Sequence, residues 1–271
     1  MIKAVLFDVG GTLFDSKSKD KKKHAAKEFL NYLILHGINL KITPDEFIKL
    51  YKKGSKAFKS HSTQNGNFDV QPYDLFVKWV FADKKLTEQQ LKTLKIIANN
   101  ALNIYKINAG GSLKKNLQAS LKRLRLMKIK MGIISNTDSL NYVTLRLIKS
   151  GIYKYFEPNC IYLSAVSQTR KPDPDIFLEA CRDLHALPSE TVYIGDTISR
   201  DVVGSRNANF LASIRVDNER IKSSDVKLKI QEEIDTKYVI RSVSQIPAMI
   251  KQIELENGKK PRKFLTIKKT K

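Results

Sequence analysis

Six residues of this sequence stand where apolar runs end or a turn begins. Asp8 closes the run Ala4-Val-Leu-Phe7, and Ser135-Asn136 closes a run that starts at Ile129. Asp196 follows Thr191-Val-Tyr-Ile-Gly195, with Asp201 five residues on, and Lys171 lies between these runs in Thr169-Arg-Lys-Pro-Asp-Pro174. One acid at a strand end is ordinary. Two acids, a hydroxyl and a lysine at successive strand ends are hard to explain by packing. Their types suit one chemistry. A carboxylate can attack phosphorus and split one difficult displacement into two easier ones. Its charge repels a phosphate dianion, so cations must neutralise both, and a lysine serves as a point charge. A pair of carboxylates also suits Mg²⁺, a hard cation that takes oxygen ligands and keeps several waters.

These residues need elements that bring them together. Residues 2–7 are almost wholly apolar and run into Gly10-Gly11, the pattern of a strand buried on both faces of a parallel sheet. From Gly111 the texture alternates. Helices are expected over 112–127, 139–150, 174–185, 200–207 and 243–255, and strands over 129–135, 160–163, 191–194, 210–215 and 238–240. Alternation of this kind predicts right-handed crossovers and an α/β fold with a doubly wound, mostly parallel Rossmann-like sheet. Ligand sites in such sheets form outside the carboxyl ends of the strands. Residues 17–36, 44–60, 71–83 and 87–106 instead carry apolar residues at three- and four-residue spacing, with Thr43-Pro44-Asp45-Glu46 and Thr87-Glu88 as helix starts. The expected division is 1–15 and 108–257 for the sheet, 16–107 for an inserted all-helical domain, and 258–271 for a basic tail.

Together the four motifs, Phe-Asp8-Val-Gly10-Gly-Thr12-Leu, Ile-Ile-Ser135-Asn136, Arg-Lys171-Pro-Asp-Pro and Tyr-Ile-Gly-Asp196-Thr-Ile-Ser-Arg-Asp201, resemble those of the haloacid dehalogenase superfamily, mostly phosphatases and related phosphoryl-transfer enzymes. The helical insert between the first and second motifs is similar to the family's cap. The resemblance implies an aspartyl-phosphate formed on Asp8. It implies Mg²⁺ held by Asp8, the Gly10 carbonyl and Asp196, with Asp201 an outer or shared ligand that also orients Lys171. Ser135 and the Asn136 amide would hydrogen-bond the transferring oxygens, and Thr12 is expected to bond nearby and fix the loop. The expected substrate is a small phosphorylated metabolite.

The sequence departs from the family's pattern at Gly10, where its phosphatases usually place a second Asp that protonates the leaving group and activates water. General acid–base help of this kind is worth roughly 10²–10⁴-fold. One consequence is a substrate whose leaving group departs unprotonated, as from an acyl phosphate or phosphoanhydride; alternatively another group, such as Asp15 or a cap residue, supplies the proton less well. A 2-haloacid dehalogenase would also dispense with the acid, but such enzymes lack the metal motif and clamp the substrate with an arginine from the cap side, and no arginine precedes Arg123. A phosphonate hydrolase would need a cap lysine, and nothing singles one out among Lys49, Lys52, Lys53 and Lys56. A further alternative is a weak or inactive subunit that binds an acidic partner, RNA or protein.

Length and composition bound these readings. At 271 residues, 42% hydrophobic and 28% charged, the chain is globular. Its formal charge is +22, yet only 11 of the 49 basic residues are arginine. Arginine dominates bidentate phosphate and base recognition, so the charge alone is weak support for nucleic acid. The stretch 258–271 is the segment best suited to an acidic partner. Two cysteines, Cys160 and Cys181, fit a reducing compartment, and no secretory signal is read at the amino terminus, so a cytoplasmic location is expected. The longest greasy patch, residues 29–40, is too short and polar to span a membrane.

Overall fold

In the computed structural model, six strands form one parallel sheet: β1 (Ala4–Phe7), β2 (Lys130–Ser135), β3 (Ile161–Leu163), β4 (Thr191–Gly195), β5 (Ala212–Val216) and β6 (Tyr238–Ile240). Their spatial order is β3-β2-β1-β4-β5-β6. The structure describes residues 1–15, 19–217, 225 and 236–258. The basic tail therefore lies, apart from Gly258, outside the described residues. No helix among those described is long and apolar enough to cross a membrane.

The strand order reverses direction between β1 and β4, and this switch point is where open α/β sheets form their crevice. The register sets what meets there. Phe7 pairs with Ile133 of β2 and Ile194 of β4, so the next residue, Asp8, emerges level with the ends of both neighbours. Its amide donates to the Ile194 carbonyl at 2.8 Å. Helices cover both sheet faces, which is why β1 has no polar alternation. Val5 and Phe7 pack with Leu121 and Leu124 of α5 (Leu117–Leu126) and Ile250 of α10 (Ile246–Glu256). Leu6 packs on the other face with Ile176 and Phe177 of α8 (Asp175–Asp183).

The helices between β1 and α5 form a separate apolar cluster. They are α1 (Lys19–Leu35), α2 (Pro44–Gln64), α3 (Pro72–Leu75) and α4 (Glu88–Asn108). Capping boxes start two of them, Thr43 with Glu46 and Thr87 with Gln90. The apolar stripes meet around Phe29, whose ring stacks on Phe47 at 4.1 Å between centroids. Gly54 of α2 is required by close approach, because a Cβ there would lie 2.6 Å from the Trp79 carbonyl oxygen. The expected helix over 71–83 is broken: Phe76–Val80 is a wider π-type turn. The Phe81 amide bonds the Phe76 carbonyl at 2.7 Å, and the five-residue step stacks these two rings 5.2 Å apart.

The two passages between the clusters bond to each other. Asp15 N donates to Ser112 O at 2.9 Å and Lys114 N to Leu13 O at 3.0 Å. This pairing delays the helix expected from 112 until Leu117. The Arg146 guanidinium of α6 (Tyr142–Lys149) lies 3.7 Å from the Phe14 ring centroid and donates to the Gly111 carbonyl, touching both passages.

Candidate active site

The strand ends converge on one buried ammonium. Lys171 Nζ donates to Asp8 Oδ1 at 2.8 Å, to Asp201 Oδ1 at 2.7 Å and to the Tyr193 hydroxyl at 2.7 Å. A lysine has three donors, so all are engaged. The Lys171 backbone is fixed separately, its N–H donating to Asn136 Oδ1 and its carbonyl accepting from Asn136 Nδ2, both at 2.9 Å. The helix expected from 174 begins at Asp175, and Lys171 sits in the preceding turn, where Asn136 clamps it. Asp201 is held by the Thr197 amide at 2.9 Å and hydroxyl at 2.6 Å. It reaches this place because residue 195 is glycine: a Cβ there would lie 2.4 Å from Asp201 Cβ. Asp8, Asp196 and Asp201 each bring one carboxylate oxygen within 4.8 Å of the others. Ser135 is buried at the tip of β2.

The loop after Asp8 differs from expectation in one respect. The Thr12 hydroxyl is buried and makes no hydrogen bond among the described residues, so it does not fix the loop. Backbone bonds do: Leu13 N and Phe14 N both donate to Val9 O, at 3.0 and 3.2 Å, and Gly11 N donates to Phe14 O at 2.9 Å. The turn needs glycine at residue 11, where φ is +85°. Gly10 has no such need. Its φ is not left-handed, and an added Cβ would meet nothing within 4 Å. Backbone sterics therefore do not account for the missing acid.

Electrostatics separate the two acids on Lys171. Burial raises the Asp8 carboxyl above the ordinary carboxylate value and nearby Asp201 adds to this, against the opposing pull of Lys171 and Arg200. Burial also acts on Asp201, but Lys171, Arg200 and the Thr197 hydrogen bonds outweigh it and bring its pKa down to about 2. Asp201 is thus the permanent counter-ion of the lysine. Arg200 is itself held charged: burial opposes, and Asp201, Asp8, Asp196 and Asp225 together prevail.

Comparison with known proteins now identifies the family. The sequence profile of haloacid dehalogenase-like hydrolases matches residues 2–209. The chain belongs to that family. Its curated relatives include a glyceraldehyde 3-phosphate phosphatase of Methanopyrus kandleri, 27% identical over 86% of this chain and 91% of the relative. Among solved structures, a 2-haloacid dehalogenase from Pseudomonas syringae pv. Tomato DC3000 superposes with a TM-score of 0.65 at 18% identity, covering 93% of this chain and 99% of that one. A haloacid dehalogenase-type phosphatase from Thermococcus onnurineus gives 0.55 at 21% identity, covering 92% and 97%. At such identity these structural likenesses carry the fold and not the substrate. The protein is a hydrolase of this family with phosphatase relatives.

Three residues at this hydrolase's site were not singled out from the sequence. Tyr193 had one signal, a phenol inside a strand buried on both faces. Arg200 stood unassigned within the fourth motif, and Arg170 beside Lys171 within the third. Arg170 opens onto a cavity of about 200 Å³ between the helical cluster and the sheet, shared with Asn136, Tyr51, Asp69, Lys106 and Asp138. Lys59 also reaches this cavity, whereas Lys52 and Lys56 are exposed and do not line it. The cavity is closed by contacts across the two clusters. Lys106 and Tyr51 both bond Asp138, and Asn103 Nδ2 donates to Asn141 Oδ1 at 2.6 Å. A backbone pairing also crosses it, with Asp69 N to Gln168 O at 2.8 Å and Arg170 N to Asn67 O at 3.0 Å.

Proposed function

We propose that this protein hydrolyses phosphoryl groups from a small phosphorylated metabolite through an aspartyl-phosphate on Asp8, with Mg²⁺ as cofactor. The observation that carries this reading is Lys171, buried and bonded at once to Asp8 and Asp201, with Asp196 alongside. The donor set fits the metal: three carboxylates and no sulfur or imidazole suit a hard divalent cation. Asp8, Asp196 and the Gly10 carbonyl would hold it, with Asp201 shared between ion and lysine, and when bound it would neutralise phosphate oxygens. Asp8 supplies the attacking oxygen. Lys171 holds that carboxylate in place and offsets its charge. Ser135 and the Asn136 backbone amide would donate to the transferring group. In this reading residues 16–107 act as a cap over residues 1–15 and 108–257, and the polar contacts at Asp138 hold the cap closed. The two buried, unpaired cysteines are in keeping with a cytoplasmic enzyme.

The phosphatase named for the Methanopyrus relative acts on a phosphate ester. Gly10 argues for a narrower choice here, because an ester leaving group needs a proton that glycine cannot give. A dehalogenase reading is disfavoured by the convergence of Asp8, Asp196 and Asp201, which a metal-free reaction does not require. The test is phosphate release from acetyl phosphate or p-nitrophenyl phosphate. Release is expected to need Mg²⁺, to stop with a chelator, and to fall by about 10⁴-fold or more in Asp8→Asn, as for loss of other enzymatic nucleophiles. Comparable activity in that variant would refute the nucleophile.

A further inference from the structure

The walls of the cavity beside the catalytic lysine are not chemically equivalent. Its carboxylates are already satisfied. Asp138 accepts from Tyr51 and Lys106, and Asp69 accepts from the Ser164 hydroxyl at 2.6 Å and the Val70 amide at 2.9 Å. Arg170 is not. Its side chain is only 8% exposed and forms a loose ion pair with Asp69, Nη1 to Oδ2 at 3.8 Å, while Nη1 is buried and makes no hydrogen bond among the described residues. A buried guanidinium N–H without an acceptor is a costly arrangement, and an oxygen of a bound molecule would relieve it. Arg170 and Asn136 flank Lys171 and Ser135 in the chain, so the cavity wall adjoins the reacting centre through these two residues.

Gly10 provides an independent constraint. Space for a larger side chain exists there, so sterics do not explain the missing acid, and glycine at this place accords with a reaction that does without one. A leaving group that departs without a proton departs as an oxyanion. The cavity lining, Lys59, Lys106 and Arg170 against Asp69 and Asp138, carries one net positive charge and suits such a product. Its volume of about 200 Å³ is below the ~300–1,000 Å³ typical of sites for drug-sized ligands, so the group must be small.

Resting on the phosphatase reading above, we propose that this cavity is the leaving-group subsite, that Arg170 receives the departing oxyanion, and that the substrate is a small acyl phosphate or phosphoanhydride. Asp8 forms its bond to phosphorus as the bond from phosphorus to the leaving oxygen breaks. That oxygen keeps the electron pair and leaves as carboxylate or phosphate against Arg170. Water then attacks the phosphorus, the bond to Asp8 breaks, and both protons of the water leave on the released phosphate.

The experiment compares kcat/KM with Mg²⁺ for acetyl phosphate, pyrophosphate and glycerol 1-phosphate in the wild type and in Arg170→Gln. The wild type is expected to prefer an oxyanion-leaving substrate over glycerol 1-phosphate by about a hundredfold or more, the scale of missing acid catalysis. Arg170→Gln should reduce that preference about 10–100-fold, the scale of a hydrogen bond to a charged group. Preference for acetyl phosphate assigns a carboxylate leaving group, and preference for pyrophosphate assigns phosphate. An equal fall on all three substrates would overturn the proposal, since Arg170 would then serve only the fold. If Arg170→Gln does not fold, as its melting curve would show, Arg170→Lys replaces it, with a smaller loss in the same ratio expected and no change in the ratio counting against the subsite. Absence of Asp8-dependent turnover would defeat the phosphatase reading without deciding this one. Calorimetric binding of methylenediphosphonate decides it in that case: about tenfold weaker binding in the variant sustains the subsite, and equal binding removes it.

Discussion

The end of the sheet and the adjoining cavity are a few residues apart and are built on opposite terms. At the sheet end every donor of Lys171 is taken, and Asp201 is bonded by both the lysine and Thr197. In the cavity one buried guanidinium nitrogen of Arg170 is left without a hydrogen bond. A fully bonded ammonium holds its geometry before substrate arrives, which is what a charge at the reacting centre needs. That nitrogen has room for an acceptor from outside, although the guanidinium is ion-paired with Asp69 at 3.8 Å. The contrast teaches that the position of Lys171 is fixed by the protein alone, whereas the cavity beside it leaves a bonding position open.

The strongest way to break that contrast is to unbalance the saturated side. Removing one member of a buried ion pair costs about 3–5 kcal/mol, because the remaining charge is stranded. Asp201→Ala leaves Lys171 with Asp8 as its remaining carboxylate partner, so it should lower unfolding stability by up to that amount in denaturant titrations at neutral pH. The pH dependence has a definite sign. The folded pKa of Asp201, about 2, lies below the ~3.9 of an unfolded aspartate. Its contribution is present above pH ~4 and is lost as pH falls towards 2, so wild type and variant should converge in acid. A difference that stays constant down to pH 2 would show that Asp201 is not the lysine's charge partner.

A second change alters the leaving-group side. Gly10→Asp fits the open space at that position. It should raise kcat/KM on glycerol 1-phosphate by about 10–100-fold, towards the usual worth of a general acid, with a much smaller gain on acetyl phosphate. Equal gains on both would separate the glycine from leaving-group choice. The smallest effect is expected from Tyr193→Phe. It deletes one buried hydrogen bond to Lys171, worth about 0.5–1.5 kcal/mol, so kcat should fall roughly 2–10-fold with KM nearly unchanged. A variant with full kcat would reduce the phenol to a packing role.

The sequence made the sheet end legible because each part of it is a local string. An apolar strand followed by an acid, a hydroxyl or a glycine needs no knowledge of distant contacts, and the parallel register then aligns the tips of β1, β2 and β4. The cavity was not legible. Tyr51, Asp69, Lys106, Asp138 and Arg170 come from five separated stretches, and only the docking of the helices on the sheet places them together. Asn136 shows the same limit within a motif. Its amide was assigned to the transferring oxygens, but its side chain turned out to clamp the Lys171 backbone, a contact across 35 residues. Thr12 shows the converse, a polar residue in a motif whose hydroxyl bonds no described neighbour.

The central claim is that Asp8 becomes phosphorylated while Lys171 and the other acids stay in place. Gly10 sharpens its test, because water attack on the intermediate also lacks the usual base and the intermediate should accumulate. The measurement is mass spectrometry of the protein quenched in acid during turnover of acetyl phosphate. The account predicts one added phosphoryl group, formed only with Mg²⁺, mapped to the peptide containing Asp8 and removed by hydroxylamine. Phosphate released under the same conditions with no label, or with the label on another residue, would contradict it.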